Sequence, residues 1–178
     1  EGREDREPLA PSVGQRFVEE HTEGLICLSG CARTGLAMRH PNAAAGLQRA
    51  FGRESFLVEL QRPYERGAVR RNAALCDLAA HLGVDTIATG NIHAHAPRRT
   101  LLQDTLVAIR CRTSLDGCEQ ERRGNRESFL RDPAGVAERF VGIDPAAVSR
   151  TAEIAERLQF DLTQELGYRY PDFSDGEE

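Results

Sequence analysis

Three short apolar runs, separated by segments of helical period, organise the first half of the chain. Leu25-Ile26-Cys27-Leu28 lies between Gly24 and Gly30, and an apolar run bounded by glycines reads as a buried strand of a parallel sheet. Phe56-Leu57-Val58-Glu59-Leu60 and Thr86-Ile87-Ala88-Thr89 read the same way. Between the first two runs, residues 33–51 are alanine-rich and interrupted at Pro41-Asn42, which predicts two short helices. From Val69 to Leu82, apolar residues recur at helical spacing (Ala73, Ala74, Leu75, Leu78, Ala79, Leu82), and Gly83 suits the C-cap. Gln15 to Glu20 predicts a short helix ahead of the first strand. Residues 1–12 are charged, carry two prolines and lack a period, so they predict a loop or disordered lead-in.

The resulting order of strand, helix, strand, helix, strand favours an α/β fold with a largely parallel sheet. Functional side chains in such folds gather at the carboxyl ends of the strands. After Pro97 the pattern changes. Leu101 to Ile109 reads as an amphipathic helix, and residues 111–127 are polar and punctuated by glycine. Asp132-Pro133 predicts a helix through Phe140, with Asp132 as N-cap and Pro133 at the first helical position. Asp144-Pro145 repeats the device for a helix through Leu158. The chain therefore divides into a lead-in (1–13), an α/β unit (14–97) and a mainly helical segment (98–178).

Composition narrows the classes. All 23 basic residues are arginine, and the net charge is −5. That balance argues against a free-standing nucleic-acid binder, but not against a part of a larger DNA enzyme that does not touch DNA. With 40% hydrophobic residues the chain can bury a sizeable core. No apolar run approaches the roughly 18 residues that a membrane span needs. Five irregularly spaced cysteines fit a reduced, cytoplasmic compartment better than a disulfide scaffold. The sole methionine is Met38, and the chain closes on Asp175-Gly176-Glu177-Glu178, which leads to the expectation that both ends are cuts in a longer protein.

Candidate chemistry centres on Cys31, Asn91, His93 and His95, which follow predicted strands. On a strand His93 and His95 would face one side. Thiolate and imidazole suit zinc, and imidazole also suits manganese or iron. The same pattern fits a hydrogen-bonded surface pair of histidines, the commoner outcome, and a cysteine buried as a small hydrophobe. Cys27 and Cys31 would share a strand face, but Cys111 and Cys118 do not complete a standard zinc spacing. Cys76 falls on an apolar helix face and reads as core. Glu59 is either a base or, in the plainer reading, a strand-edge carboxylate facing solvent. Arg62, Arg66, Arg70 and Arg71 are suited to phosphate, although a solvated helix face is the plainer reading. A Walker-type loop, a Gly-x-Ser-x-Gly elbow and a His-Glu-x-x-His pair are all missing from the sequence.

Several strings, in order, resemble one family. Leu25-Ile26-Cys27-Leu28-Ser29-Gly30-Cys31 is similar to the Leu-Ser-Gly-Cys segment in the PHP domain of bacterial replicative polymerase alpha subunits. Phe56-Leu57-Val58-Glu59-Leu60-Gln61-Arg62 resembles the family's Tyr-Leu-Glu-Leu-Gln strand, and Ala88-Thr89-Gly90-Asn91-Ile92-His93 its Ala-Thr-Asn-Asp-Val-His. Leu101-Leu102-Gln103-Asp104 with Ile109-Arg110 resembles the helix that follows. Gly124-Asn125-Arg126, Arg131-Asp132-Pro133 and Leu166-Gly167-Tyr168-Arg169-Tyr170-Pro171 look like the error-prone branch of these C-family, DNA polymerase III alpha-subunit-like enzymes. The resemblance runs from about residue 15 to 173.

The resemblance implies the rear part of a PHP-type distorted β/α barrel over 14–97, then a helical connector toward the polymerase palm over 98–178. It implies a parent protein that is a DNA-directed DNA polymerase acting in replication and damage-tolerant, translesion repair synthesis. DNA would be the substrate, with a sliding clamp and damage-tolerance accessory proteins as partners and no membrane. Cys31 and His93 fall on the family's metal-ligand positions, which hold zinc or manganese in a cluster that supports 3′–5′ exonuclease activity in some members. Asn91 stands where the family has an aspartate ligand, and a neutral amide is a weaker ligand for a hard cation. The front ligands of that cluster, and the palm aspartates that hold magnesium for nucleotidyl transfer, match no residue of the chain. By that reading the fragment carries no catalytic residue of polymerisation and is mainly structural. Two other readings are a metal-dependent phosphoesterase of the PHP superfamily acting alone, and a non-catalytic scaffold without metal. Part of a barrel is also expected to present open sheet edges.

Overall fold

Three parallel strands and the helices joining them form the centre of the computed structural model, which describes residues 12–161 and 163–167. Residues 1–11 of the lead-in, Tyr168-Arg169-Tyr170-Pro171 and the acidic closing run lie outside the described residues. In chain order the elements are α1 (Gln15–Glu19), β1 (Cys27–Leu28), α2 (Leu36–Arg39), α3 (Pro41–Phe51), β2 (Phe56–Gln61), α4 (Ala68–Leu82), β3 (Thr86–Thr89), α5 (Thr100–Arg110), α6 (Pro133–Phe140) and α7 (Ala146–Arg157). The result is a mixed α/β structure with a small parallel sheet in the order β1-β2-β3.

β2 is the central strand. Cys27 pairs with Phe56 and Leu28 with Leu57 on one side, and Val58 through Gln61 pair with Thr86 through Thr89 on the other. Phe56, Val58 and Leu60 alternate onto one face and join the core under the helices, whereas Leu57, Glu59 and Gln61 share the other face. β1 is shorter than the run from Leu25 predicts. The Leu25 N–H donates to Thr22 O in a turn, and Leu25 is 54% exposed, so only two residues reach the ladder. Pairing is nevertheless extended by a side chain: Ser29 N–H donates to Leu57 O, and Ser29 Oγ accepts from Glu59 N at 2.9 Å.

α4 buries Ala68, Asn72, Leu75 and Ala79, a stripe at helical spacing that contains one polar residue. Ala73 and Ala74, which the sequence spacing places on the apolar face, are exposed. Gly83 ends the helix in the left-handed region at φ +64°, the conformation that a glycine cap provides without a Cβ clash. At the start of α6, Asp132 accepts from Gly135 N–H at 2.7 Å, with Pro133 at the first turn, as the sequence predicts. Asp144 uses only one oxygen for α7, accepting from Ala146 N–H at 3.1 Å; its other oxygen faces Thr86 and Arg150.

α6 and α7 pack directly on the sheet. Phe140 and Ala147 lie in the same core as Phe56, Val58, Leu60, Leu75 and Ala88. α7 also covers the outer edge of β3. Because carbonyls alternate along a strand and Asp85 O accepts from Val58 N, Thr86 O and Ala88 O point away from β2. Arg150 Nη1 donates to Thr86 O at 3.1 Å, and Thr151 Oγ1 to Ala88 O at 3.2 Å. The expected open edge is therefore closed on this side by two side chains of one helix.

Candidate functional site at the carboxyl ends of the strands

Each strand delivers polar groups to the same end of the sheet. β2 ends on Gln61, which is buried and held by Asn72 of α4. Asn72 Oδ1 accepts from Gln61 N at 3.3 Å, and Asn72 Nδ2 donates to Gln61 O at 2.9 Å. A fully buried asparagine thus supplies both ladder partners that the strand lacks at its end, meeting the requirement that buried backbone groups be paired. The Gln61 side chain in turn binds all three strand ends. Its Oε1 accepts from Ala32 N at 3.3 Å, and its Nε2 donates to Glu59 Oε1 at 2.5 Å and to Thr89 Oγ1 at 3.1 Å. Thr89 donates its hydroxyl to Glu59. Glu59 is therefore no edge carboxylate facing solvent: it sits on the central strand, half-buried among donors.

Cys31 lies in the turn after β1, not on the strand, so it does not share a strand face with Cys27. Gly30 takes φ +85° in that turn, and a Cβ on Gly35 would stand 2.5 Å from Cys31 O; both glycines let the turn fold tightly over the strand end. Asn91 follows β3 with φ +44°, a region that asparagine tolerates better than most residues. That turn aims its side chain across the sheet end. Asn91 Nδ2 donates toward Cys31 Sγ at 3.7 Å, and Asn91 Oδ1 stands 3.0 Å from His93 Nε2. Cys31 and the neighbouring pair Asn91 and His93, 60 residues away in sequence, are thus one cluster.

The sequence did not single out Arg123, the fourth member. Its Nη2 is 2.5 Å from His93 Nε2 and 3.5 Å from Asn91 Oδ1, and its Nη1 is 3.9 Å from Glu65 Oε1. Arg123 comes from the polar segment 111–127, and only its place in the fold gives it a role. The segment is fixed by Asn125 Nδ2 donating to Pro63 O at 2.6 Å, and by an isolated parallel bridge between Ala94 and Phe129. His93 and His95 flank this bridge on a loop and do not share a strand. His95 meets His93 along a groove of about 210 Å³, together with Arg99, Leu102 and Leu106. Burial pushes the His93 imidazole below its ordinary pKa, and the Arg123 charge pushes it further.

The other sequence candidates divide. Burial pushes the Cys27 thiol up, away from the thiolate a metal would need. Cys76 packs beside the core, its thiol raised by burial and by the charges of Asp144 and Asp77. Cys111 and Cys118 belong to a small apolar cluster with Val107 and Ala108. Arg62 donates to Arg139 O at 2.5 Å, and Arg71 pairs with Glu65 at 3.1 Å. Arg66 and Arg70 are exposed, so the solvated-face reading fits those two alone.

As a metal centre the donor set is thin. Among the described residues, no group of three or more His, Cys, Asp or Glu side chains is arranged to hold a metal ion, whereas protein zinc sites use three or four such ligands. The cluster offers one thiol, one imidazole and one neutral amide, and a guanidinium already engages the imidazole. These residues do not fit a divalent metal. Among the described residues, no helix is long and apolar enough to cross a membrane.

No family model matches the chain. Individual proteins do. An error-prone DNA polymerase of Rhodopseudomonas palustris is 42% identical over 111 residues, 62% of this chain and 9% of the relative. One from Symbiobacterium thermophilum is 33% identical over 174 residues, 93% of this chain and 16% of the relative. One from Xanthomonas campestris pv. campestris is 33% identical over 162 residues, 89% of this chain and 14% of the relative. The chain spans between 9% and 16% of the length of these relatives, and over that span it is homologous to a segment of error-prone DNA polymerases.

Proposed function

We propose that the chain serves as the rear part of a PHP-type β/α barrel, over about 14–97, and the helical connector toward the palm, over 98–178, of an error-prone DNA-directed DNA polymerase. The observation that carries this reading is similarity to one named polymerase over 93% of the chain. In this role the chain is a support: it packs against the polymerase core and contributes no residue to nucleotidyl transfer. Magnesium for that reaction would be held by palm aspartates elsewhere in the parent, and DNA, a sliding clamp and damage-tolerance factors would meet the parent rather than this cluster. The parent would work in the cytoplasm, copying past lesions in repair synthesis.

Two features support a supporting role over a free-standing phosphoesterase. The strand-end cluster is short of metal ligands. In addition, α5 exposes Leu101, Leu102, Leu106 and Ile109, an apolar face suited to packing against further chain of the polymerase. The test is the reading frame that carries the chain. A His-x-His upstream and paired aspartates downstream, in frame, together with primer extension past a template lesion by the whole product, are expected. A frame without the aspartates, or a whole product that extends no primer, sinks the polymerase reading.

A further inference from the structure

The cluster at the strand ends raises a question of charge. His93 Nε2 and Asn91 Oδ1 both carry lone pairs and stand 3.0 Å apart. They are held together by a shared donor, because Arg123 Nη2 reaches both, at 2.5 and 3.5 Å. A guanidinium has donors and no acceptor, so His93 Nε2 must accept and the imidazole proton must sit on Nδ1. The lone pair that a metal would take is the one Arg123 uses. Asn91 ties this pair to Cys31 through its amide, 3.7 Å from Sγ. Glu65, salt-bridged to Arg71 at 3.1 Å, holds Arg123 from behind at 3.9 Å. The segment bearing Arg123 is sewn to both neighbouring loops, through Asn125 to Pro63 O and through His93 N–H and Ser128 O at 2.9 Å.

We propose that Arg123 is the resident cation of the Cys31–Asn91–His93 cluster, and that the cluster is a guanidinium clamp which excludes divalent metal. The pairing is chemically consistent on both sides. An aspartate at position 91 would add a negative charge and a hard ligand, whereas the asparagine supplies a neutral acceptor that suits a fixed guanidinium. A divalent ion at His93 Nε2 would have to displace Arg123 or sit beside its charge. The clamp joins the 111–127 segment to the strand ends without an exchangeable ion, so the junction is indifferent to chelators. This inference stands on the geometry of the cluster and is independent of the polymerase reading, since metal content reports on the site whatever the parent protein does.

The experiment is titration of the full 178-residue chain with Co(II), followed by the thiolate-to-cobalt charge-transfer absorption, with equilibrium dialysis against Zn(II) and Mn(II) alongside. The unaltered chain is expected to show no band that depends on Cys31 and no stoichiometric uptake. Asn91→Asp combined with Arg123→Ala is expected to gain a Cys31-dependent band and to bind Co(II) about 10- to 100-fold more tightly than the unaltered chain. Asn91→Asp alone, with Arg123 in place, is expected to form an ion pair and gain nothing. Stoichiometric metal on the unaltered chain, abolished by Cys31→Ser, overturns the proposal even if the double variant fails to fold. So does equal affinity in the single and double variants, or a double variant that keeps its far-ultraviolet dichroism and thermal transition yet binds no metal.

Discussion

The two ends of β3 are built from similar residue types and serve opposite purposes. At the amino end, Arg150 reaches Asp85 at 3.1 Å, Asp144 at 3.4 Å and Thr86 Oγ1 at 2.9 Å, while Thr86 donates to Asp144. One arginine sits between two carboxylates there, and the network closes over the sheet edge. At the carboxyl end, Asn91 and His93 stand on a loop around a single guanidinium, which Glu65 faces at 3.9 Å. The first arrangement holds a helix on a strand. The second joins a loop to strand ends and leaves its imidazole toward water. The difference teaches that the sheet gets its edge protection where α7 lies and gathers its functional polar groups where the loops meet the strand ends.

The largest expected effect comes from breaking the amino end. Arg150→Met removes the donor to Thr86 O and leaves Asp144 half-buried without its cation, and should lower the unfolding free energy by about 2–3 kcal/mol in urea denaturation. Asp144→Asn should cost about 1–2 kcal/mol at neutral pH, and it carries a pH signature. Burial works to raise the Asp144 carboxyl, but the bonds from Thr86, Arg150 and Ala146 outweigh it and hold the group below its ordinary value. A carboxyl depressed in the folded state stabilises above its unfolded pKa, and that contribution is lost as pH falls through the folded value. The difference between the unaltered chain and Asp144→Asn should therefore shrink as pH drops from neutral to below about 4; a constant gap would mean the carboxylate is not the cause.

Changes at the carboxyl end sharpen the contrast from the other side. Glu59→Gln keeps one acceptor for Thr89 and should cost at most about 1 kcal/mol by the same denaturation assay. His93→Ala, which removes the Arg123 acceptor from an exposed loop, should cost about 0.5 kcal/mol, the low end for a hydrogen bond. A loss at His93 as large as that at Arg150 would erase the distinction between the two ends.

Much of the scaffold was legible in local pattern. β2 and β3 fall within a residue of the apolar runs, and Gly83 and Asp132 end and begin their helices as their types predict. Those features depend on neighbours in sequence, through side-chain period, φ preference and capping. The role of Asn72 is not legible in the sequence, because an amide within an apolar stripe gives no signal until Gln61 lies beside it. Glu59 reads as an edge carboxylate for a related reason: an isolated strand does not say whether it is central or at an edge. The first strand came out short because its apolar run turns at Leu25 before it pairs.

By itself the sequence determined the alternation of strands and helices, the caps, the placement of Cys31, Asn91 and His93 after strands, and the kinship with error-prone DNA polymerases. These are properties of residue type and spacing, which the chain carries before it folds. Only the tertiary structure decided that α7 covers the edge of β3, that Asn72 completes the end of β2, and that Arg123 stands in the cluster. Each of those depends on side chains tens of residues apart meeting within hydrogen-bond distance, and a contact of that range is set by how elements pack, which no local pattern encodes.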